Sequence, residues 1–285
     1  MNAELLIMFT LDCDRAYLYA HPERELTADE ISRYDHALAR RATGVPAQYI
    51  TGHQEFWGMD LIVSPAVLIP RPETEHVVEA ALELAAAGTK NGQLARMRAA
   101  APHERGRDAP ATAGGTPALR IVDVGTGSGA IALALARELP FADIHATDIS
   151  EAALEVARAN AARHELASRI EFHHADLLSG LPRGQFDFVV SNPPYVGESE
   201  EDTVQLEVRK FEPRNAIFAG PTGLEVIERL IPHAHDALVP GGWLVFEISG
   251  TIADRVQKLL SNWSEVALKN DLQGIARVAV ARKGL

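Results

Sequence analysis

The most informative part of the sequence is the run Leu119-Arg-Ile-Val-Asp123-Val-Gly125-Thr-Gly127-Ser-Gly129. Its first half, Leu119–Val124, predicts a buried strand, because a short apolar run that ends in a turn signal is typical of one. The glycines that follow let the backbone adopt positive φ and approach a ligand closely. Ser128–Leu139 then predicts a helix, whose first turn offers free N–H groups and a partial positive charge. We therefore expect a ligand site where this strand meets this helix.

The rest of the C-terminal half alternates between strand-like and helix-like segments. Predicted helices begin after Ser150, at a capping box over Thr222–Glu225 and at Ile252. The other predicted strands are Asp143–Thr147, Arg169–His174, Phe186–Ser191 and Gly242–Ile248, with Val266–Leu268 and Ile275–Ala281 as a closing pair. Strands that alternate with helices predict a parallel, doubly wound α/β sheet, whose ligands bind at the carboxyl ends of the strands.

The N-terminal side reads as helices followed by a pair of short strands. Leu5–Tyr19 predicts one helix, and the capping box Thr27-Ala-Asp-Glu30 opens another. Glu55–Val63 predicts two short strands around a tight turn. Pro70-Arg71-Pro72 forces an extended link, because proline restricts the residue before it, and Glu73 then opens a further helix.

Residues 88–118 separate these two regions and differ from both in composition. Ala, Gly and Pro dominate the segment, and no hydrophobic period is sustained in it. We interpret it as a linker or a flexible surface insertion. Its five basic residues against two acidic ones leave open a basic peptide that docks on nucleic acid.

Composition and charge restrict the class of protein. The chain has 285 residues, a net charge of −12 and one cysteine, Cys13, so an internal disulfide and a multi-cysteine metal site are excluded. No apolar run approaches the length of a membrane span, and the N-terminus lacks a basic leader, so we expect a cytoplasmic protein. The acidic balance disfavours general nucleic-acid binding, and the histidines show no metal-ligand spacing, so neither nucleic acid nor metal is expected.

Acidic residues follow two of the predicted strands beside the glycine run. Asp148 ends a strand at a point where a carboxylate accepts hydrogen bonds from ribose hydroxyls, and Asp176 ends the next one, where it can bond an adenine amino group. Asp148 can equally be an acid at a helix start, stabilised by the helix dipole. Gly125, Gly127 and Ala130 also satisfy a degenerate dinucleotide motif, so the residues alone leave a nicotinamide cofactor open.

Asn192-Pro193-Pro194-Tyr195 is the motif that separates these alternatives. It follows the apolar strand Phe186–Ser191 and so lies at the carboxyl edge of the sheet. The prolines fix the backbone and carry carbonyls without competing N–H groups, while Asn192 offers a side-chain carbonyl. These oxygens can accept both hydrogens of a planar NH₂ group, on which Tyr195 can stack. The motif therefore predicts a site that grips an amide or an aromatic amine.

These motifs resemble those of the class I S-adenosylmethionine-dependent methyltransferases. Asn192–Tyr195 is similar to the motif of the amino-methylating branch. Four further stretches resemble one family within that branch, the release factor glutamine methyltransferases (the PrmC/HemK family): Thr51–Trp57, Leu68–Glu75, Phe211–Arg214 and Gly220–Leu224. The resemblance covers nearly the whole chain except residues 88–118.

The resemblance implies a division of the chain and a reaction. It implies a helical substrate-recognition domain over residues 1–54, shorter here than is usual in the family. A hairpin and junction helix would span 55–87 and a mostly parallel seven-stranded methyltransferase sheet 119–285, with 88–118 as the insertion. The donor would be S-adenosylmethionine. The acceptor would be the glutamine amide in the Gly-Gly-Gln motif of class I peptide chain release factors, methylated by direct in-line transfer.

The same resemblance assigns site residues. Asn192 and Pro193 would be catalytic, and Asn192, Pro193, Pro194 and Tyr195 would hold the glutamine. The cofactor would contact Gly125, Thr126, Gly127, Ser128, Gly129, Asp148, Asp176, Leu177 and Asn192.

Three other functions stay open from the sequence. An adenine-N6 methyltransferase shares the Asn192–Tyr195 motif, although enzymes that flip a base usually need a basic cleft. A non-catalytic binding module would keep the fold without turnover. A nicotinamide dehydrogenase would have no use for a motif that grips an amide.

Overall fold

The computed structural model describes residues 2–90 and 119–285. Its N-terminal helices are α1 (Asn2–Leu11), α2 (Arg15–Ala20), α3 (Ala28–Ala42) and α4 (Ala47–Thr51). Leu6 of α1, Ala37 of α3 and Ile50 of α4 are buried against one another. These helices therefore share a small hydrophobic core of their own.

The prediction of a single helix over Leu5–Tyr19 is wrong, because the chain breaks between α1 and α2. Asp12 adopts the left-handed conformation with a φ of 49°. Asp14 then caps α2, since its side chain accepts a hydrogen bond from Tyr17 N at 2.7 Å. Aspartate tolerates the left-handed region and is a favoured N-cap, so these two residues explain the break.

The capping box predicted at Thr27–Glu30 is confirmed at the start of α3. Thr27 Oγ1 accepts a hydrogen bond from Glu30 N at 3.3 Å, and Glu30 Oε2 accepts one from Thr27 N at 2.9 Å. Two backbone N–H groups that the helix leaves free are thereby satisfied.

An antiparallel hairpin and a long helix follow. The hairpin pairs β1 (His53–Phe56) with β2 (Met59–Ile62) through a turn at Trp57 and Gly58, whose φ values are 53° and 66°. Such turns match the twist of the strands they join. A 3₁₀ turn then leads into α5 (Glu75–Lys90), so the first three residues of the predicted insertion are helical. The rest of the insertion lies outside the described residues.

The C-terminal half forms a seven-stranded, mostly parallel sheet, as predicted. Its strands are β3 (Arg120–Val124), β4 (Asp143–Asp148), β5 (Ile170–His174), β6 (Phe186–Ser191), β9 (Leu238–Glu247), β10 (Glu265–Asn270) and β11 (Ala276–Arg282). Their spatial order is β10-β11-β9-β6-β3-β4-β5, and β11 runs antiparallel to both neighbours. From β3 the strand order continues through β4 and β5 on one side and through β6 on the other. An open sheet of this kind forms its ligand crevice at the point where the strand order reverses.

Helices cover both faces of the sheet. The remaining helices are α6 (Ala130–Glu138), α7 (Glu151–Arg163), α8 (Leu206–Phe211), α9 (Glu225–Ala237) and α10 (Ala253–Leu259). Helices α5 and α6 and the β1–β2 hairpin share one core with the sheet, and α9 and α10 share the other. Among the residues that the structure describes, no helix is long and apolar enough to cross a membrane.

The chain after β6 is more ordered than its sequence indicates. Two short strands, β7 (Val196–Gly197) and β8 (Phe218–Gly220), pair there. The capping box predicted at Thr222–Glu225 is only half formed. Glu225 Oε1 accepts from Thr222 N at 2.8 Å, but Thr222 Oγ1 accepts from Leu224 N, because α9 begins only at Glu225.

Candidate active site

The predicted cofactor loop connects β3 to α6 at the carboxyl edge of the sheet. Gly125, Gly127 and Gly129 have φ values of 69°, 55° and 85°, a region that strains any residue with a Cβ. A Cβ on Gly129 would lie 3.3 Å from Ala157 Cβ, so this glycine lets α6 begin against α7. A Cβ on Gly125 or Gly127 would meet nothing within 4 Å. The loop thus has free space beside these two glycines.

Thr126 and Ser128 are buried and hold this loop to its surroundings. Thr126 Oγ1 donates to Asp123 Oδ2 at 2.6 Å, and Thr126 N donates to Thr147 O at 2.9 Å. The backbone carbonyl of Ser128 accepts a hydrogen bond from Asn160 Nδ2 at 2.9 Å. The conformation of the loop is therefore fixed from β3, β4 and α7 together.

Asn160 of α7 is a residue that sequence reasoning missed. It is fully buried, and besides Ser128 it contacts Ile62 of the hairpin. Its Oδ1 accepts from Ile62 N at 2.7 Å, and its Nδ2 donates to Ile62 O at 3.0 Å. An asparagine on the otherwise apolar face of a predicted helix was the available signal.

Asp123, at the end of β3, carries an unusual carboxylate. It is buried, and its Oδ1 has no hydrogen-bond partner among the described residues. Burial raises the pKa of Asp123 to about 7, and the nearby Asp148 adds to the rise. A ligand that brings a cation or a hydrogen-bond donor would satisfy this oxygen.

Asp148 lies next to the loop, as predicted. Its Oδ2 accepts from Gly127 N and its Oδ1 from Ser150 N, both at 2.9 Å. Burial raises the pKa of Asp148, and the backbone hydrogen bonds oppose the rise. Each oxygen retains a further lone pair, so the carboxylate can also accept from ribose hydroxyls. The helix-start role and the ligand role are therefore compatible.

Asp176 and Leu177 follow β5 on the same edge. Ala175 N donates to Asp148 O at 2.9 Å, so the two strand ends are adjacent. Asp176 forms an ion pair with Arg229 of α9, a partner that the sequence did not indicate. Leu177 has a φ of 53°, which is uncommon for a residue other than glycine. Strained positions of this kind cluster at ligand sites.

The Asn192–Tyr195 motif begins where β6 ends. Ser191 Oγ donates to Val124 O at 2.7 Å, so the motif starts beside the glycine loop. All four residues of the motif line a cavity of about 390 Å³. Leu68 and Arg71, which precede the seven-stranded sheet in the sequence, also line this cavity. The structure therefore brings the predicted acceptor site and the predicted cofactor loop to one edge of the sheet.

Two buried residues at this pocket, Thr74 and Glu247, were not predicted as site residues. Asn192 Nδ2 donates to Thr74 Oγ1 at 2.9 Å, and Thr74 Oγ1 donates to Glu247 Oε2 at 2.6 Å. Tyr195 OH donates to Glu247 Oε1 at 2.8 Å. Burial raises the pKa of Glu247, and burial beside that carboxylate raises the pKa of Tyr195. An acid at the end of the apolar run Trp243–Glu247 was the available signal.

Arg71 both lines the pocket and pairs with a residue far along the chain. Its guanidinium forms an ion pair with the buried carboxylate of Glu212. Glu212 Oε2 also accepts from Ile69 N at 3.0 Å. Two of the four stretches that carry the family resemblance, Leu68–Glu75 and Phe211–Arg214, are thereby held together.

Helix α8 forms another part of the pocket wall and contacts the N-terminal helices. Val208 of α8 lines the cavity. Arg41 Nη2 of α3 lies 2.7 Å from Glu207 Oε2 of α8. A Cβ on Gly44 would lie 3.4 Å from the ring of Phe211. The helical N-terminal region therefore packs directly on one wall of the pocket.

The acidic run Glu198–Asp202 lies in a 3₁₀ helix, Glu198–Thr203. Glu201 forms two hydrogen bonds of 2.9 Å with Arg214, and Asp202 lies 3.0 Å from Arg209. Because Arg214 and Arg209 pair with the carboxylates of Glu201 and Asp202, the segment attracts a basic surface less strongly than its sequence indicates.

One group of metal-ligand residues does come together, although the sequence shows no such spacing. Within the described ranges, ligand atoms of His145, Glu171 and His173 lie within 4.8 Å of one another. His145 Nδ1 and His173 Nε2 are 3.0 Å apart, and the two rings are nearly parallel at 14°. That distance is typical of a hydrogen bond between the rings.

The residues at the sheet edge fit S-adenosylmethionine, the cofactor that the resemblance implies. That molecule carries an ammonium group, a sulfonium and ribose hydroxyls. Asp148 and the unpartnered oxygen of Asp123 supply acceptors, and the space beside Gly125 and Gly127 lets the backbone approach. The ammonium and hydroxyl donors of the ligand thus match the carboxylate acceptors of the site.

Comparison with protein families matches both halves of the chain. Residues 1–52 match the family described as PrmC N-terminal domain, and residues 113–210 match the methyltransferase small domain. A methyltransferase from Pyrococcus furiosus has a similar structure, with a TM-score of 0.52 and 18% identity, over 89% of this chain and 99% of that one. At that identity the likeness shows the fold alone.

Relatives of higher identity extend over the full chain. The release factor glutamine methyltransferase of Koribacter versatilis is 52% identical over 99% of this chain and 91% of its own length. The enzyme of the same name from Coxiella burnetii is 38% identical over 100% of this chain and 92% of its own length. The glycine loop, Asp148, Asp176 and the Asn192–Tyr195 motif thus occur in a chain that is similar to these enzymes from end to end. The chain belongs to the release factor glutamine methyltransferases, a family of S-adenosylmethionine-dependent enzymes.

Proposed function

We propose that this enzyme methylates the side-chain amide nitrogen, N5, of the glutamine in the Gly-Gly-Gln motif of class I peptide chain release factors. The observation that carries the proposal is the position of Asn192–Tyr195. These residues line a cavity of about 390 Å³, and the motif begins beside the glycine loop, so we expect an acceptor held there to lie next to the cofactor.

The acceptor is an NH₂ group with two hydrogens to place. Asn192 Oδ1 accepts one and the backbone carbonyl of Pro193 accepts the other, while Pro194 and Tyr195 enclose the amide plane. Pro193 suits this role because it has no N–H group of its own to compete. Two acceptors fix the direction of the nitrogen, and they stabilise the positive charge that develops on it during transfer.

The bound cofactor supplies a methyl group that its sulfonium already activates, so the protein has mainly to position the acceptor. No general base is required, because the methylated amide nitrogen readily loses its proton to water. The pocket geometry supports this proposal. Glu247, a carboxylate that lines the pocket, already accepts a hydrogen bond at each oxygen, from Thr74 and from Tyr195. We therefore propose direct in-line transfer without a covalent enzyme intermediate.

Cofactor binding is assigned to the loop and to the strand ends next to it. The residues that we propose for it are Gly125, Thr126, Gly127, Ser128, Gly129, Asp148, Asp176, Leu177 and Asn192. The helical region over residues 1–54 would recognise the release factor, and residues 119–285 would carry the reaction. We place this reaction in the cytoplasm, with protein rather than nucleic acid or membrane as the partner.

A methyl-transfer assay with labelled S-adenosylmethionine tests the proposal. The acceptors are a class I release factor, the same factor with its Gly-Gly-Gln glutamine changed to alanine, and adenine-containing DNA. Label on the intact factor alone is the expected result. Label on DNA would instead favour adenine-N6 methylation. Bound cofactor with no label on any acceptor would favour a non-catalytic binding module.

A further inference from the structure

Thr74 and Glu247 are buried polar residues at the acceptor pocket, which Glu247 lines. Thr74 is 4% exposed and Glu247 is 2% exposed. They come from distant parts of the chain, since Thr74 precedes α5 and Glu247 ends β9. Each contacts a residue of the Asn-Pro-Pro-Tyr motif, Thr74 through Asn192 and Glu247 through Tyr195.

The hydrogen-bond donors in this chain of contacts have a fixed direction. In its ionised form Glu247 only accepts, so it takes its two hydrogen bonds from the hydroxyls of Thr74 and Tyr195, at 2.6 and 2.8 Å. The single hydroxyl proton of Thr74 is used in that bond, so Thr74 Oγ1 can only accept from its other neighbour. The atom of Asn192 that faces Thr74 at 2.9 Å must therefore be Nδ2, which donates.

This direction determines what Asn192 offers to the pocket. With Nδ2 held by Thr74, the carbonyl Oδ1 is the atom left for the acceptor. If the amide were reversed, Nδ2 would face the NH₂ group of the acceptor, and two donors cannot hydrogen-bond to each other. Resting on the proposed function, we infer that Thr74 and Glu247 are positioning residues that keep the carbonyl of Asn192 directed at the acceptor nitrogen and fix the ring of Tyr195.

A pair of substitutions at Thr74 tests the hydroxyl separately from the shape. Thr74→Val keeps the size of the side chain and removes its hydroxyl, whereas Thr74→Ser keeps the hydroxyl. We expect kcat to fall about tenfold or more in Thr74→Val, because Asn192 loses the partner that orients it. The affinity for S-adenosylmethionine should stay close to that of the parent. Thr74→Ser should restore most of kcat.

Glu247→Gln tests the origin of the direction. An amide of the same shape offers one acceptor atom and one donor group instead of two acceptors. With its NH₂ toward Thr74, the hydroxyl of Thr74 turns to donate to Asn192, whose amide then reverses. With its NH₂ toward Tyr195, the hydroxyl of Tyr195 loses its acceptor and the ring of Tyr195 is no longer fixed. We expect kcat to fall in this variant as well, while thermal unfolding and circular dichroism report a folded protein.

A double-mutant cycle distinguishes positioning from a general structural role. If Thr74 acts through Asn192, then Thr74→Val should lose most of its effect on kcat in an Asn192→Ala background. An equal fold-change in both backgrounds, or no loss of kcat in Thr74→Val, overturns the inference.

The parent is measured first, on the release factor and on adenine-containing DNA. Both acceptors present a planar NH₂ group, so the cycle is run on whichever one is labelled. Label on DNA alone contradicts the proposed function and still tests the role of Thr74. Failure to label either acceptor overturns both proposals.

Discussion

Asn160 Oδ1 accepts a hydrogen bond from Ile62 N at 2.7 Å while Asn160 Nδ2 donates to Ile62 O at 3.0 Å. The same amide donates to the carbonyl of Ser128 in the cofactor loop. One buried side chain therefore connects the hairpin, α7 and the glycine loop. The hairpin is thereby connected to the predicted cofactor loop, although it contains none of the predicted cofactor residues.

Replacing Asn160 with Ala should destabilise the enzyme and weaken cofactor binding together. The change leaves the N–H and C=O of Ile62 and the carbonyl of Ser128 without this partner, at about 1–3 kcal/mol for each buried group that stays unpaired. Chemical denaturation and calorimetric titration with S-adenosylmethionine measure the two effects. Asn262→Ala, at an exposed position, is the matched control. Unchanged cofactor affinity would show that the loop does not depend on this contact.

Replacing Asp148 with Ala should weaken the binding of S-adenosylmethionine by about tenfold or more, because a half-buried acceptor is lost and Gly127 N loses its partner. At saturating cofactor, kcat should change much less. Titration calorimetry and steady-state kinetics separate the two quantities. Glu155→Gln removes an exposed carboxylate from the same half of the domain and should leave both unchanged. A large fall in kcat at saturation would contradict a binding role.

Replacing Asn192 with Ala should lower kcat by about 10²–10³-fold, the usual cost of losing a group that stabilises charge in the transition state. The cofactor dissociation constant should change by a much smaller factor. Single-turnover methyl transfer and equilibrium cofactor binding are the measurements. Loss of both in equal proportion would mean that Asn192 serves the cofactor rather than the acceptor.

Asp123 should make the cofactor-free enzyme less stable as the pH rises. Its pKa is about 7 in the folded state and 3.8 in the reference state, so the folded protein binds more protons between these values. The contribution of Asp123 is thus fully present below about pH 4 and is lost as the pH rises through about 7. The loss amounts to about 4 kcal/mol at most, on an order-of-magnitude basis.

Denaturation curves from pH 5 to pH 8 test this effect in the parent and in Asp123→Asn. The variant should show a shallower decline in the free energy of unfolding, whereas Asp35→Asn, at an exposed position, should follow the parent. Comparing variants is necessary because burial also raises the pKa values of Asp148 and Glu247. Parallel curves for the parent and Asp123→Asn would show that Asp123 does not titrate in this range.

Much of the fold was predictable because local patterns determine it. The β6 strand was predicted to the residue, and the sheet edge followed from strands alternating with helices. The break at Asp12 was not predictable, because the run Leu5–Tyr19 is apolar enough for one helix and the interruption depends on a single left-handed residue. The 3₁₀ helix over Glu198–Thr203 was also not predicted, since its ion pairs are with Arg209 and Arg214, which lie outside the segment.

The candidate site divides in the same way. Gly125–Gly129 and Asn192–Tyr195 are each a continuous run of residues, so the chemistry of each run can be recognised from the order of its residue types. Thr74, Asn160 and Glu247 act on them from 32 to 118 residues away, as the hydrogen bonds show. No local pattern encodes which buried polar groups the sheet will bring together, so these contacts required the three-dimensional structure.

The ion pair between Arg41 of α3 and Glu207 of α8 has a consequence for exchanging parts between relatives. Residues 1–52 form a unit by family match, and that makes them a natural segment to swap. A chimaera joined at residue 52 would take position 41 from one parent and position 207 from the other. The seam would then run along the wall of the acceptor pocket, because Val208 on the same helix lines that cavity. Recombination at this boundary would alter the catalytic cleft itself, even though every residue proposed to touch cofactor or acceptor came from a single parent.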